Sequence, residues 1–240
     1  RPNSTGIQEA VCLAASVYLE EEGPAASAST LGSLARRGCV SKDTTFALNG
    51  YKVCAARRPG NLDKFKQLEN DIKAADGWIK CFGVDAREEE SIQDLFKQVE
   101  EEIAPIDVVI FNPGANVFFP IEETTSRVFR KVWEMAAFGG FLTGREAAKY
   151  MKKRNSGSIF FTGATASMRG SSGFSAFSSA KFALRALAQS MARELGPQGI
   201  HVAHFVIDGA IDTAFIKETF PDTYALKEKD GILQPEAIAD

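Results

Sequence analysis

The side chains in this sequence that could do chemistry stand mostly at the ends of short apolar runs. Arg57 and Arg58 follow the run YKVCAA, Asp85 ends the run IKCFGVD, and the turn Asn112-Pro113-Gly114 follows IDVVIF. Arginine pairs with phosphate groups in a fixed geometry, and a glycine lets the backbone pass close to a ligand. These residues are candidates for a ligand site, provided that the apolar runs are strands ending at one edge of a sheet.

Other kinds of catalytic site find little support. The two histidines, His201 and His204, cannot form an H-E-x-x-H zinc motif. They lie three apart in a predicted strand and so face opposite sides, which indicates structural roles. The run Gly170–Gly173 (GSSG) is not a G-x-S-x-G nucleophile elbow. The four cysteines are widely spaced and form no C-x-x-C pair, which predicts reduced thiols.

Composition and charge narrow the possible partners. The 240 residues are 45% hydrophobic and 25% charged, as is ordinary for a globular protein. Twenty-eight basic and thirty-one acidic residues give a net charge of −3, which argues against a broad basic nucleic-acid surface. No apolar run approaches the roughly 20 residues that a membrane helix needs. We therefore expect a cytoplasmic protein with neither a nucleic-acid nor a membrane partner.

Apolar runs and amphipathic segments alternate along residues 51–207. The predicted strands are Tyr51–Ala56, Trp78–Val84, Ile106–Phe111, Gly157–Thr162 and Ile200–Ile207. The predicted helices between them are Leu62–Ala75, Glu88–Glu102, Glu122–Arg154 and Ser175–Leu195. Strands separated by helices imply right-handed crossovers and a parallel sheet. The fold class is therefore α/β, a three-layer doubly wound sheet of Rossmann type, with ligand at the carboxyl ends of the strands.

The first 50 residues fit this pattern less well. A sheet of this kind should open with a strand, a Gly-rich turn and a helix, but Gly6–Leu19 suggests only the helix, and nothing before it could be the strand. Gly23–Leu34 is rich in small residues and predicts a linker or a disordered insert. We assign residues 1–48 to an atypical segment, partly disordered or a displaced first helix, and residues 49–240 to the main domain. This domain is expected to lack its first strand and its C-terminal end.

Four short pieces in a fixed order carry a family resemblance. They are Phe111–Ala115, Phe177–Lys181, Gly196–Val202 and Asp208–Thr213. In this order and at these spacings, residues 49–240 resemble the short-chain dehydrogenase/reductase family. The resemblance implies a nicotinamide cofactor, a small-molecule substrate and a hydride transfer to or from its carbonyl or alcohol carbon.

The resemblance assigns the adenosine half of the cofactor to strand ends. Asp85 matches the acid that contacts the adenine, and Asn112 and Gly114 match the end of the family's N-N-A-G turn. Arg57 lies where a 2′-phosphate would bind, and no acid is present there to favour the free hydroxyls of NAD. NADP(H) is therefore favoured over NAD(H). The alternatives are a helix-capping aspartate, a plain turn and two solvated arginines.

The nicotinamide half is assigned to the later segments. Gly209 and Thr213 match the family's P-G-x-x-x-T segment, with Asp208 where proline is usual. Lys181 matches the lysine that holds the nicotinamide ribose. The alternative for Gly209 and Thr213 is an ordinary strand-to-helix turn. The family's Gly-rich phosphate loop has only Thr5-Gly6-Ile7-Gln8 as a counterpart, which is either the tail of that motif or unrelated to the fold.

The catalytic positions depart most from the family. Its members use an Asn, a Ser, a Tyr as general acid/base and a Lys that lowers the pKa of the Tyr. Here Lys181 is kept, but Ala136, Ala164 and Phe177 stand at the other three positions. A shift of one residue brings Thr165 near the Ser position, so Thr165 is a further catalytic candidate. No shift restores the tyrosine.

Three functions are compatible with this pattern. The first is an oxidoreductase that uses an unusual proton donor, such as water or Thr165. The second is a catalytically silent relative that binds a nucleotide or a partner. The third is a truncated product without a working nucleotide site. The resemblance also implies a homo-oligomer that pairs through the helices predicted at Glu122–Arg154 and Ser175–Leu195. A monomer mass measured by light scattering at high protein concentration would contradict this expectation.

Overall fold

A computed structural model describes residues 11–15, 43, 46–47, 51–59, 62–114, 116–212, 214–219, 221–234 and 238. Over these residues the apolar runs form one parallel six-stranded sheet in the order β3-β2-β1-β4-β5-β6. The strands are β1 Val11–Ala15, β2 Lys52–Arg57, β3 Trp78–Gly83, β4 Ile106–Phe111, β5 Gly157–Ala164 and β6 Ile200–Ile207. The predicted α/β fold with a doubly wound parallel sheet is confirmed.

The sheet is covered on both faces, and β4 shows why its sequence is apolar throughout. Val109 and Phe111 belong to one hydrophobic core, whereas Val108 and Ile110 belong to the other. Alternate residues of a strand point to opposite faces. An uninterrupted apolar strand is therefore what a central position in a parallel sheet requires.

Helices fill the connections between the strands. They are α1 Leu62–Ala74, α2 Glu89–Glu102, α3 Ser126–Trp133, α4 Gly139–Arg154, α5 Ser175–Leu195, α6 Ala214–Thr219 and α7 Pro221–Tyr224. Short 3-10 turns span Thr165–Ser167, Gly196–Gln198 and Ala225–Lys229. The apolar face predicted for α2 is buried, at Ile92, Leu95, Phe96 and Val99.

The prediction of one helix over Glu122–Arg154 is wrong in two respects. Helix α3 begins only at Ser126, because the Thr125 side chain accepts a hydrogen bond from the Val128 N–H and so caps the helix. A π-helical turn, Glu134–Phe138, then separates α3 from α4. Such turns insert a residue into a helix and often occur at functional sites. Ala136 lies inside this turn.

The expectation that the first strand is missing is also wrong. Val11–Ala15 forms β1, which pairs in parallel with β2 on one side and with β4 on the other. The helix suggested for Gly6–Leu19 is therefore a strand over these five residues, and the sheet takes a central strand from the segment before residue 49. A short apolar run between two strands cannot be told from a piece of buried helix by periodicity. Thr5–Gln8 and the predicted insert Gly23–Leu34 lie outside the described residues.

All six described strands run in the same direction, so their carboxyl ends meet at one edge of the sheet. The strand order reverses between β1 and β4, and a crevice opens outside the carboxyl ends at such a point. The residues that end the strands there are Ala15, Arg57, Gly83, Phe111, Ala164 and Ile207.

A glycine at the entry to β6 offers a test of this fold. Gly199 has a φ of 75°, and a β-carbon there would lie 2.2 Å from the Asn155 carbonyl oxygen. Left-handed backbone and a main-chain clash should make Gly199→Ala lower the free energy of unfolding by about 2 kcal/mol or more. Gly196→Ala is the matched control, because a β-carbon at Gly196 would meet no atom within 4 Å. Equal stability of the two variants in urea unfolding followed by circular dichroism would contradict this account.

Candidate functional site

A buried lysine joins three segments at the carboxyl edge. Lys181, on the second turn of α5, is only 3% exposed. Its ammonium donates to the Thr162 carbonyl at 2.8 Å and to the Pro113 carbonyl at 3.3 Å. Thr162 lies near the carboxyl end of β5, and Pro113 follows β4. The lysine therefore fixes the start of α5 against both strand ends.

Two further predicted residues lie against this lysine. A β-carbon at Gly114 would approach the Lys181 Nζ to 3.3 Å and the Phe177 ring to 3.9 Å. The Nζ also lies 5.9 Å from the centre of the Phe177 ring. Gly114, Phe177 and Lys181 thus share one locus. Phe177 offers the ammonium a cation–π contact, but it carries no proton to exchange with a substrate.

The other two positions that the resemblance assigns to catalysis also carry apolar side chains. Ala136 is fully buried in the π-helical turn. Ala164 ends β5, and its N–H donates to the Ser167 Oγ at 3.0 Å. Ser167 is itself fully buried, so its hydroxyl is used to hold the turn after β5.

Thr165 is the polar side chain next to Ala164, and it has a partner that sequence reasoning missed. Its Oγ1 donates to the Asp208 Oδ1 at 2.5 Å. Asp208 follows β6, so the bond joins the carboxyl ends of two neighbouring strands. The signal in the sequence was Asp208 itself, which stands where the family has proline.

Asp85 lies just beyond β3 and is held by Arg87. The Arg87 N–H and Nε donate to the Asp85 Oδ1 at 3.0 and 2.9 Å, and its Nη2 donates to the Oδ2 at 2.5 Å. Burial acts to raise the pKa of Asp85, but the hydrogen bonds and charge of Arg87, aided by the charge of Arg58, outweigh burial and lower it. Asp85 is therefore ionised at neutral pH. Arg87 was missed because its role depends on a local turn.

Arg57 ends β2 beside this aspartate. Its carbonyl accepts a hydrogen bond from the Val84 N–H at 2.7 Å, which ties the ends of β2 and β3 together. Its side chain is 6% exposed, so the alternative of two fully solvated arginines is wrong for Arg57. Arg58 is partly exposed. The charge of Arg58 acts on the Asp85 carboxylate, so the end of β2 supplies a positive charge near the aspartate that follows β3.

The remaining predicted cofactor residues are less closely gathered. Asn112 directly follows β4 and is partly buried. Gly209 follows Asp208, and a β-carbon there would approach Leu233 to 3.1 Å, so Gly209 is packed against the later chain. Thr213 lies outside the described residues.

His204 is a titratable group beside the lysine. A β-carbon at Gly163 would lie 2.4 Å from the His204 Nε2, so the imidazole fits only because Gly163 has no side chain. Burial, together with the charges of Lys181 and Arg185, lowers the pKa of His204. The imidazole is therefore neutral at physiological pH. Its packing against Gly163 supports the structural role expected from the sequence.

Metal and thiol chemistry find no support in the described part of the chain. No group of three His, Cys, Asp or Glu residues there could hold a metal ion. Cys54 is a buried free cysteine, and burial raises the pKa of its thiol to about 12. Among the described residues, no helix is long and apolar enough to cross a membrane.

The crevice fits the dinucleotide that the family resemblance implies. The buried ammonium of Lys181 is held by two neutral carbonyls, and such a donor suits the hydroxyls of a ribose. Asp85 keeps acceptor capacity for an adenine amino group, because a carboxylate offers about four lone-pair sites and Arg87 uses three. Arg57 at the end of β2 and Arg58 after it carry guanidinium groups, which suit a phosphate.

Comparisons with known proteins agree with this geometry. A family model described as short chain dehydrogenase matches residues 43–223. A 3-dehydrosphinganine reductase of Danio rerio is 30% identical over 200 residues, which cover 82% of this chain and 58% of that protein. A 3-ketodihydrosphingosine reductase of Mus musculus is 29% identical over 188 residues, covering 75% and 56%. The chain thus spans less than two thirds of the length of these relatives.

Solved structures extend the likeness to three dimensions. A short-chain dehydrogenase from Rhodopseudomonas palustris is 42% identical, with a TM-score of 0.70, and the match covers 93% of this chain and 96% of that one. An actinorhodin polyketide ketoreductase solved with NADPH shares the fold, with a TM-score of 0.80 and 19% identity over 98% of this chain and 89% of that one.

The pair of Asp85 and Arg87 predicts a pH-dependent contribution to stability. The pKa of Asp85 is lower in the folded chain than in the unfolded chain. The pair therefore contributes its full stabilising free energy above the pKa of an unfolded aspartate, about 4. This free energy is lost as the pH falls through the pKa of Asp85 in the folded chain. Arg87→Gln should cost about 1 kcal/mol at pH 7, since the pair is partly exposed. The cost should disappear near pH 2.

Urea unfolding at a series of pH values measures this difference. Arg169→Gln, a loss of the same charge from an exposed loop position, is the control and should show no such profile. A cost of Arg87→Gln that stays constant from pH 7 to pH 2 would refute the assignment.

Proposed function

The chain belongs to the short-chain dehydrogenase family, and on that premise we propose that it binds NADP(H) in preference to NAD(H) and catalyses hydride transfer to or from the carbonyl or alcohol carbon of a small molecule. The observation that carries the proposal is the buried Lys181 ammonium, fixed by the carbonyls of Pro113 and Thr162 at the carboxyl edge of the sheet. A positive charge costs free energy to bury, and its place beside Gly114 suits a ribose.

The residues proposed to hold the cofactor lie along this edge. Asp85 would accept from the adenine, Arg57 with Arg58 would bind the 2′-phosphate, and Lys181 would bind the nicotinamide ribose. Asn112 and Gly114 would line the adenosine ribose, and Gly209 with Thr213 would lie on the nicotinamide side. When bound, the nicotinamide supplies or accepts the hydride.

We assign the proton to Thr165 and Asp208. In alcohol oxidation, the substrate hydroxyl would give its proton to the Thr165 Oγ1 while the Thr165 proton passes to the Asp208 carboxylate. Carbonyl reduction would use the reverse path. The existing hydrogen bond between the two side chains supports this route, and Phe177 cannot take part because its ring carries no exchangeable proton.

A silent dinucleotide-binding relative is the second candidate, and one observation favours it. Phe177 directs an aromatic ring at Lys181 where the family places the general acid/base. General acid–base catalysis is typically worth about 10²–10⁴ in rate. The chain would then bind NADP(H) without turning over a carbonyl.

Self-association through α4 and α5 also stays a prediction.

Cofactor titration tests the binding part of the proposal. NADPH should bind at least about tenfold more tightly than NADH, because a charged hydrogen bond to a phosphate is worth about 1.5–3 kcal/mol. Arg58→Gln and Arg57→Gln should each remove most of that preference and leave the affinity for NADH unchanged. Lys73→Gln, on the exposed last turn of α1, is the charge control. Equal binding of NADPH and NADH by the unaltered chain would refute the NADP preference.

Restoring the family's tyrosine tests the catalytic part. Phe177→Tyr adds one hydroxyl near Lys181 and should raise carbonyl reduction by about 10², measured as NADPH oxidation with a panel of ketones. Phe177→Leu controls for packing. In the unaltered chain Thr165→Val should abolish turnover without changing NADPH affinity, and in Phe177→Tyr it should matter much less.

Two outcomes separate the candidate functions. A chain that binds NADPH but turns over only as Phe177→Tyr is the silent relative. Turnover of the unaltered chain that survives Thr165→Val would remove the proton route through Thr165.

A further inference from the structure

Large apolar side chains are exposed beside the candidate site. Phe118 is 62% exposed, Ile121 70% and Met168 49%. Phe174, which is partly exposed, lies against Phe118 with the ring centres 5.3 Å apart. We call these four residues the apolar mouth. Exposed large apolar side chains that gather on a surface commonly mark a binding site, and here Phe118 and Phe174 are in contact.

Three of the segments that carry site residues also carry the residues of the mouth. Phe118 follows Gly114 by four residues in the connection after β4. Met168 follows Thr165 by three, and its N–H donates to the Thr165 carbonyl at 2.9 Å. Phe174 precedes Phe177 by three residues, and its carbonyl accepts a hydrogen bond from the Ser178 N–H at 2.8 Å. The mouth is thus built on the same three supports as the site.

The supports are also tied to one another. The Phe119 N–H donates to the Gly173 carbonyl at 2.8 Å, which joins the connection after β4 to the one after β5. Gly173 has a φ of 78°, and a β-carbon there would lie 2.3 Å from the Phe118 ring. Only glycine allows the ring to lie so close. The Phe118 ring is therefore held between Gly173 and Phe174 before any ligand arrives.

We propose that the apolar mouth binds an extended apolar chain attached to the carbonyl or alcohol carbon of the substrate. This inference rests on the proposed function and names its substrate class. The run Val117–Ile121 contains no charged residue, which suits a hydrocarbon chain lying against it. Glu122 and Glu123 follow Ile121 directly. Acidic neighbours disfavour insertion into an anionic membrane surface, where basic residues are usual.

A homologous series of methyl ketones tests the proposal. The affinities of 2-hexanone, 2-octanone, 2-decanone and 2-dodecanone are measured by calorimetry on the full chain, with and without saturating NADPH. Each added methylene should tighten binding about twofold, because complete burial of one is worth about fourfold. The double variant Phe118→Ser, Ile121→Ser should flatten the series and weaken 2-dodecanone by about tenfold or more.

A matched variant separates the mouth from general surface effects. Trp78→Ser removes an apolar side chain that is 39% exposed at the start of β3, on the opposite edge of the sheet, and should leave the series unchanged. NADPH affinity, measured without ketone, checks that each variant is folded and tests the proposed function separately. Loss of NADPH binding in the unaltered chain with a steep ketone series would refute the proposed function and leave the mouth supported.

Three results would overturn the inference. One is a flat ketone series in a chain that binds NADPH. Another is a steep series that the double variant does not alter. The last is that the unaltered chain sediments with phosphatidylcholine vesicles or self-associates with rising concentration, and that the double variant abolishes this behaviour while its ketone affinity stays unchanged. The mouth would then be a membrane contact or a dimer contact.

Discussion

The burial of one positive charge sets the geometry of the carboxyl edge. The Lys181 ammonium is nearly inaccessible, and a charge so placed must be hydrogen-bonded. The carbonyls of Thr162 and Pro113 meet that need, so Lys181 ties the start of α5 to the ends of β4 and β5. A β-carbon at Gly114 would lie 3.3 Å from the ammonium, so a side chain there would press on the lysine. The connections that carry Thr165 and Phe118 inherit their positions from this arrangement.

A second constraint acts through the helix that packs beside α5. A β-carbon at Gly139 would lie 3.0 Å from the Ala86 carbonyl, and one at Gly140 would lie 2.4 Å from a methyl of Leu184. The start of α4 therefore lies against both the segment after β3 and α5. The π-helical turn Glu134–Phe138 directly precedes these glycines. It accommodates one extra residue between α3 and α4, which a continuous α-helix would not. This packing holds the backbone next to Asp85 in place.

Much of this structure could be predicted, because the apolar residues of most strands and helices recur at the spacing typical of that element. Helix α5 and strand β6 have the bounds that their sequence predicts. Strand β1 was missed because Val11–Ala15 is short and rich in small residues, so helix and strand look alike there. The π-helical turn was missed because it depends on contacts of Gly139 and Gly140 with other segments, and periodicity within one helix does not report them.

The site was predictable only where one residue suffices. Lys181, Gly114 and Phe177 were found from a motif and lie together. Arg87 and Asp208 were missed as partners, because each acquires its role from a neighbour that the fold supplies: a local turn in one case, and a strand pair in the other. Pairwise hydrogen bonds of this kind have no fixed spacing in the sequence.

The contrast between Lys181 and Phe177 shows how the fold divides two tasks. Lys181 stabilises the edge by joining two strand ends to α5, and this role needs an ammonium but no tyrosine hydroxyl. Phe177 keeps the apolar contact of an aromatic ring with that ammonium. The support of the edge by Lys181 therefore does not depend on an ionisable side chain at position 177. The hydroxyl–carboxylate pair of Thr165 and Asp208 lies at the same edge, where β5, whose Thr162 carbonyl the lysine holds, pairs with β6.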